Sequence, residues 1–78
     1  MADVTIYSTP TCGYCHVAKD FLAANNVSYV EKNVAADLVA RQEMLEKSQQ
    51  MGVPVIDVKG SIMVGYNESK LRELLGLA

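Results

Sequence analysis

The sequence predicts a single α/β domain, a four-stranded mixed sheet flanked by helices in the order β-α-β-α-β-β-α. Three observations carry this. A short alternating run is followed by a helical pattern and then a second alternating run, the signature of a βαβ unit with a right-handed crossover. Two apolar, β-branched runs later in the chain are separated only by Lys59-Gly60, which marks an antiparallel hairpin. Finally, 78 residues, half of them hydrophobic, supply one small core and leave no room for a second domain.

In "DVTIYS", Val4 and Ile6 alternate with polar neighbours and read as a short strand. Pro10 interrupts it, and Thr11 stands where a helix cap is expected. From Gly13 to about Asn25 the residues Val17, Ala18, Phe21 and Leu22 recur at spacings of three and four, lining one helix face. Asn25-Asn26 ends that helix. "VSYVEKNV" is a second strand, with Val27, Tyr29 and Glu31 on one side and Val30 on the other. Asp37 caps a helix running to about Gln50, with Leu38 and Leu45 expected on its core side and Arg41, Gln42, Glu43, Glu46 and Lys47 mostly solvated. "GVPVIDV" and "SIMV" form the hairpin. Asn67 then caps a last helix, whose Leu71, Leu74, Leu75 and Ala78 make an i, i+3, i+4, i+7 stripe.

The surface chemistry is ordinary. A formal net charge of −2 with interspersed signs gives no reason to expect nucleic acid or an anionic membrane as a partner. "MADVTIYS" has neither the basic nor the apolar region of a secretory signal. No apolar run approaches the ~20 residues of a membrane span. The expectation is a cytoplasmic protein, where two cysteines serve catalysis or metal binding rather than a structural staple.

Those cysteines lie in "TPTCGYCH", Thr9 to His16. Cys-x-x-Cys-His is the attachment signature of a c-type haem, whereas Cys-x-x-Cys opening a helix is that of a redox dithiol. A small c-type cytochrome is exported, mostly helical and in need of a second axial ligand, for which only Met residues remain here. Structural zinc takes four ligands; Cys12, Cys15 and His16 make three, with His16 turned about 100° from Cys15 on a helix. The dithiol reading has geometry in its favour. Residues i and i+3 of a helix sit ~5–6 Å apart, within reach of a disulfide. Unpaired amides and the positive end of the helix dipole favour a thiolate at Cys12. Cys15, one turn further in, is the less accessible sulfur. Cys12 is therefore expected to attack and Cys15 to resolve. Tyr14, between them, can cover a bound substrate or simply stand in solvent. His16, four residues past Cys12, can support a thiolate when protonated or be a plain surface residue.

Taken together, "VTIYSTPTCGYCHVAKDFL", "GVPV" and "VGYNESKLRELL" resemble a glutaredoxin over nearly the whole chain. The resemblance implies a thioredoxin-like fold and a monomeric thiol–disulfide oxidoreductase. Its substrates would be protein disulfides or glutathione mixed disulfides, and its electrons would come from glutathione or a thioredoxin-reductase-type enzyme. No tightly bound cofactor is implied, and glutathione would be a co-substrate. Pro54 takes the part of the family's cis-proline, leaving the Val53 backbone free to pair with an extended thiol-bearing peptide. Gly65 and Tyr66 match the second half of the family's Gly-Gly-aromatic turn. The implied substrate or glutathione site thus comprises Tyr14, Arg41, Val53, Pro54, Gly65, Tyr66 and Asn67.

The departures concern glutathione. Thr9 stands where the family usually has a lysine, Val64 replaces the first glycine, and Asn67 and Glu68 replace paired aspartates. A charge-assisted contact contributes ~1.5–3 kcal/mol, so losing one predicts roughly tenfold or weaker glutathione binding. Gly13 stands where Pro is commoner. Some glutaredoxins lacking that proline hold a [2Fe–2S] cluster between two protomers through the first cysteine and glutathione, so an iron–sulfur carrier is one alternative. The other is an electron donor to ribonucleotide reductase. Such glutaredoxin-like proteins commonly carry a Trp motif before the last helix, where this Trp-free chain has "VGYNESK".

Overall fold

Alternation along the strands decides which side chains each helix receives. A computed structural model describes residues 3–77. Its elements are β1 (Val4–Ser8), α1 (Gly13–Ala24), β2 (Tyr29–Asn33), α2 (Leu38–Ser48), β3 (Val55–Val58), β4 (Ser61–Val64) and α3 (Glu68–Leu75). The sheet order is β2-β1-β3-β4. β1 runs parallel to β2, as the crossover through α1 requires, and antiparallel to β3, which pairs antiparallel with β4. The turn between β3 and β4 is Lys59-Gly60, both at positive φ, the geometry of a two-residue hairpin that matches strand twist. This is the expected thioredoxin-like fold.

One sheet face presents Val4 and Ile6 of β1, Ile56 and Val58 of β3 and Met63 of β4 to Ala18, Phe21 and Leu22 of α1 and Leu71 of α3. The other presents Tyr7 and Val55 to Ala40 and Met44 of α2, with Val34 beside them. Tyr7 is fully buried, and its hydroxyl donates to Glu43 at 2.6 Å. Lys32 reaches the same carboxylate at 2.7 Å, while Lys47 donates to the Tyr7 hydroxyl at 3.0 Å and to Asp57 at 2.7 Å. This chain of polar contacts ties α2 to three strands.

Three expectations need correction. Leu38 and Leu45 do not face the core; they are 78% and 37% exposed. The cap is Asp37 as expected, its carboxylate accepting from Val39 and Ala40 N–H, but the helix packs on Tyr7, Val34 and Val55 through Ala40 and Met44 instead. Val17 is exposed at the edge of the α1 stripe, whose buried positions are Cys15, Ala18, Phe21 and Leu22. The cap of α1 is Cys12, not Thr11, because Cys12 is the last extended residue (φ −85°, ψ 110°). In α3, Leu71 is buried and Leu74 and Leu75 pack on the core's margin; Ala78 lies outside the described residues.

Candidate functional site

The loop Thr9-Pro10-Thr11 carries the chain from the end of β1 into α1, and Cys12 N–H donates to Thr9 O at 3.3 Å. At an N-cap the side chain normally supplies an oxygen to the unpaired amides of the first turn. Here a sulfur does so: Cys15 N–H donates to Cys12 Sγ at 3.2 Å. Cys12 is half-buried and Cys15 fully buried, both as free thiols. Burial, and then the hydrogen bond with Cys12, push the Cys15 thiol up to about 11 against an ordinary 9.0. Cys15 is thereby kept protonated and withdrawn while Cys12 faces solvent. The two sulfurs are unequal, and a stepwise exchange needs that inequality.

Around them the expected residues divide. The Val53–Pro54 bond is cis and Pro54 is buried. Val53 precedes β3, and its backbone N–H and C=O make no hydrogen bond among the described residues. Gly65 N–H donates to Pro54 O at 2.8 Å, which brings the end of β4 against that proline. Gly65 has φ +81°, and a Cβ there would meet nothing, so backbone conformation rather than space calls for glycine. Arg41 and Val53 line one cavity of about 270 Å³ with Thr9, Leu38, Met44 and Met51. Tyr14 is 68% exposed on the first turn of α1.

Tyr66 and Asn67 lie between Gly65 and the first turn of α3. The Tyr66 ring packs edge-on against Phe21, with centroids 6.3 Å apart, and Asn67 caps α3 by accepting from Lys70 N–H at 3.1 Å. His16 Nε2 lies 3.3 Å from Pro10 O, which accepts from it. One cluster was not anticipated. Lys19, one turn beyond Cys15, pairs with Glu31 at 2.7 Å, and the buried Ser8 hydroxyl donates to the same carboxylate at 2.8 Å. Lys19 and Ser8 hold Glu31 below the usual carboxylate range, and the ammonium also favours a Cys15 thiolate. The i+4 spacing of Lys19 from Cys15 is the signal that could have shown it. Among the described residues no group of three or more His, Cys, Asp or Glu side chains could hold a metal ion. No described helix is long and apolar enough to cross a membrane.

A sequence model of the glutaredoxin family matches residues 4–63. The chain belongs to the glutaredoxin family. It is 44% identical over 72 residues to an uncharacterised glutaredoxin-like 8.6 kDa protein in the rubredoxin operon of Clostridium pasteurianum, covering 92% of this chain and 96% of that one. It is 35% identical over 68 residues to glutaredoxin 3 of Escherichia coli K12, covering 87% and 82%. Among solved structures, a thioredoxin-like protein superposes with TM-score 0.93 at 32% identity over the full length of both chains. The glutaredoxin of Archaeoglobus fulgidus superposes with TM-score 0.83 at 28% identity, covering 96% of this chain and 87% of that one. Membership places the chain among thiol–disulfide oxidoreductases.

Proposed function

We propose that this glutaredoxin reduces protein disulfides and glutathione mixed disulfides through Cys12 and Cys15. The observation that carries it is the pairing of a half-exposed Cys12 sulfur at the α1 cap with a fully buried Cys15 one turn behind. The Cys12 thiolate attacks a substrate disulfide, forming a Cys12–substrate S–S bond while the other substrate sulfur leaves as a thiolate and takes up a proton. Once Cys12 is in the mixed disulfide, Cys15 loses its proton and attacks Cys12 Sγ. The second substrate sulfur leaves, and a Cys12–Cys15 disulfide holds the two electrons' worth of oxidation. Two glutathione thiols, or a flavoenzyme of thioredoxin-reductase type, return the electrons. The unpaired Val53 backbone supports substrate pairing as a one-residue strand addition. We place the reaction in the cytoplasm and in a monomer.

Two variants test the assignment. Cys12→Ser is expected to abolish reduction of every disulfide in an NADPH-coupled assay, and turnover by that variant would end the mechanism. Cys15→Ser is expected to accumulate a covalent protein–substrate disulfide visible by intact mass. Running the coupled assay in two arms, one with glutathione and its reductase and one with a thioredoxin reductase, identifies the electron source by which arm turns over.

A further inference from the structure

Leu38, Leu45 and Met51 are all turned to solvent on or just beyond α2, at 78%, 37% and 46% exposure. Single exposed apolar side chains are ordinary, but apolar residues gathered on one concavity mark a contact surface. These three line a depression of about 350 Å³. It shares Leu38, Arg41 and Met51 with the cavity that reaches Thr9 and Val53. The two adjoin at these residues and together form a groove from Thr9 past Val53 onto the outer face of α2.

The charges in this groove are one-sided. No Asp or Glu lines either part of it. Lys19, Lys32 and Lys47 are paired with acids elsewhere. Arg41, by contrast, makes no side-chain hydrogen bond or ion pair among the described residues, so a carboxylate can approach it without displacing a partner.

We infer that this groove takes an extended segment of a disulfide-bearing protein, with a bulky apolar side chain against Leu38, Leu45 and Met51 and a carboxylate on Arg41. The inference rests on the exchange chemistry proposed above and names its substrate class. Glutathione fits less well: it brings two carboxylates and an ammonium but no apolar side chain, and the groove offers one cation, no anion and an apolar wall. Asn67 and Glu68 do not make up the difference, since one caps α3 and the other pairs with Arg72. A second copy docked by a two-fold axis passing beside Arg41 would set Arg41 against Arg41.

The test uses the reduced wild-type protein and pentapeptides whose single cysteine carries a thionitrobenzoate group. Release of the coloured thiolate reads the first attack. Glu-Leu placed on either side of the cysteine is compared with Lys-Leu, with Glu-Ser, and with the glutathione and mercaptoethanol derivatives, at sub-saturating concentration. In one of the two orders the Glu-Leu peptide is expected to react at least tenfold faster than the Glu-Ser peptide or the glutathione derivative. Expressed as a ratio to the mercaptoethanol derivative, that advantage should fall severalfold in Leu38→Ser, and Arg41→Glu should reverse the preference between Glu and Lys. Thermal unfolding shows that each variant is folded. Equal rates across the peptides in both orders, or a preference untouched by both substitutions, would overturn the inference and leave the exchange chemistry standing. A dimer in solution that Leu38→Ser dissociates would overturn it in favour of a second copy. No release even from the mercaptoethanol derivative would strike the chemistry itself and the groove with it.

Discussion

On the sheet face covered by α1 and α3, nine buried residues from β1, β3, β4 and both helices form one apolar cluster. The α2 face buries five, and its largest member, Tyr7, carries a hydroxyl tied to Glu43 and Lys47. The first face is held by packing. The second is held in good part by a run of ionic and hydrogen-bonded contacts from Lys32 through Glu43, Tyr7 and Lys47 to Asp57. The proposed function divides along the same line. The helix that carries Cys15 and is capped by Cys12 packs on the first face through Ala18, Phe21 and Leu22, where a displacement would disturb the exchange geometry. Arg41 and Leu38, which shape the groove, ride on the helix with the polar anchorage.

That contrast can be broken from either side. Leu22→Ala removes a fully buried side chain of the α1 face and is expected to cost ~2–5 kcal/mol, read from denaturant unfolding. Tyr7→Phe leaves the α2 packing in place but strands Glu43 and Lys47 without the hydroxyl. Its expected cost is smaller, ~1–3 kcal/mol. If Tyr7→Phe proved the more destabilising of the two, the division between a packed and a polar face would be wrong.

The pH dependence sharpens it further, with a modest effect. Burial raises Tyr7, and contacts with Asp57 and Tyr7 raise Lys47, so both bind their protons more tightly when folded. Their stabilisation is complete below the unfolded values of ~10 and ~10.4 and is lost as pH rises through the folded ones. Cys15, raised to about 11 from 9.0, adds a loss of the same sign from about pH 8.5 upward. The thermal midpoint should therefore decline between about pH 8.5 and 11. Cys15→Ser should remove the early part of that decline and leave the later part, which belongs to the α2 face. On the acid side Glu43, lowered chiefly by Lys32 and then Tyr7, contributes stability that is present above the unfolded carboxylate value of ~4.3 and lost as pH falls through the folded one. Lys32→Met should flatten that limb, and an unchanged acid limb would remove Glu43 from the account.

Much of this was legible before any coordinates. The element order follows from periodicity, the hairpin from Lys59-Gly60, and the dithiol from two cysteines three apart where a helix begins. The cis proline at Pro54 was legible only through resemblance, because most X-Pro bonds are trans. The burial of α2 was misread because its pattern is weakly amphipathic. Leu38 and Leu45 are the more hydrophobic choices, and only the packing of α2 against Tyr7 and Val55 turns Ala40 and Met44 inward. Tyr66 and Asn67, assigned to a ligand by resemblance, also take part in packing on Phe21 and in capping α3, which the resemblance did not show.

By itself the sequence determined what is local: where helices begin, which strands alternate, and which sulfur stands nearer the surface, since these depend on residues within one or two turns of each other. Only the tertiary structure decided which distant residues meet. Arg41, Val53 and Thr9 line one cavity because the sheet brings the end of β1 beside the start of β3 and α2 packs across them. No short-range pattern encodes a meeting that depends on how α2 rotates against Tyr7.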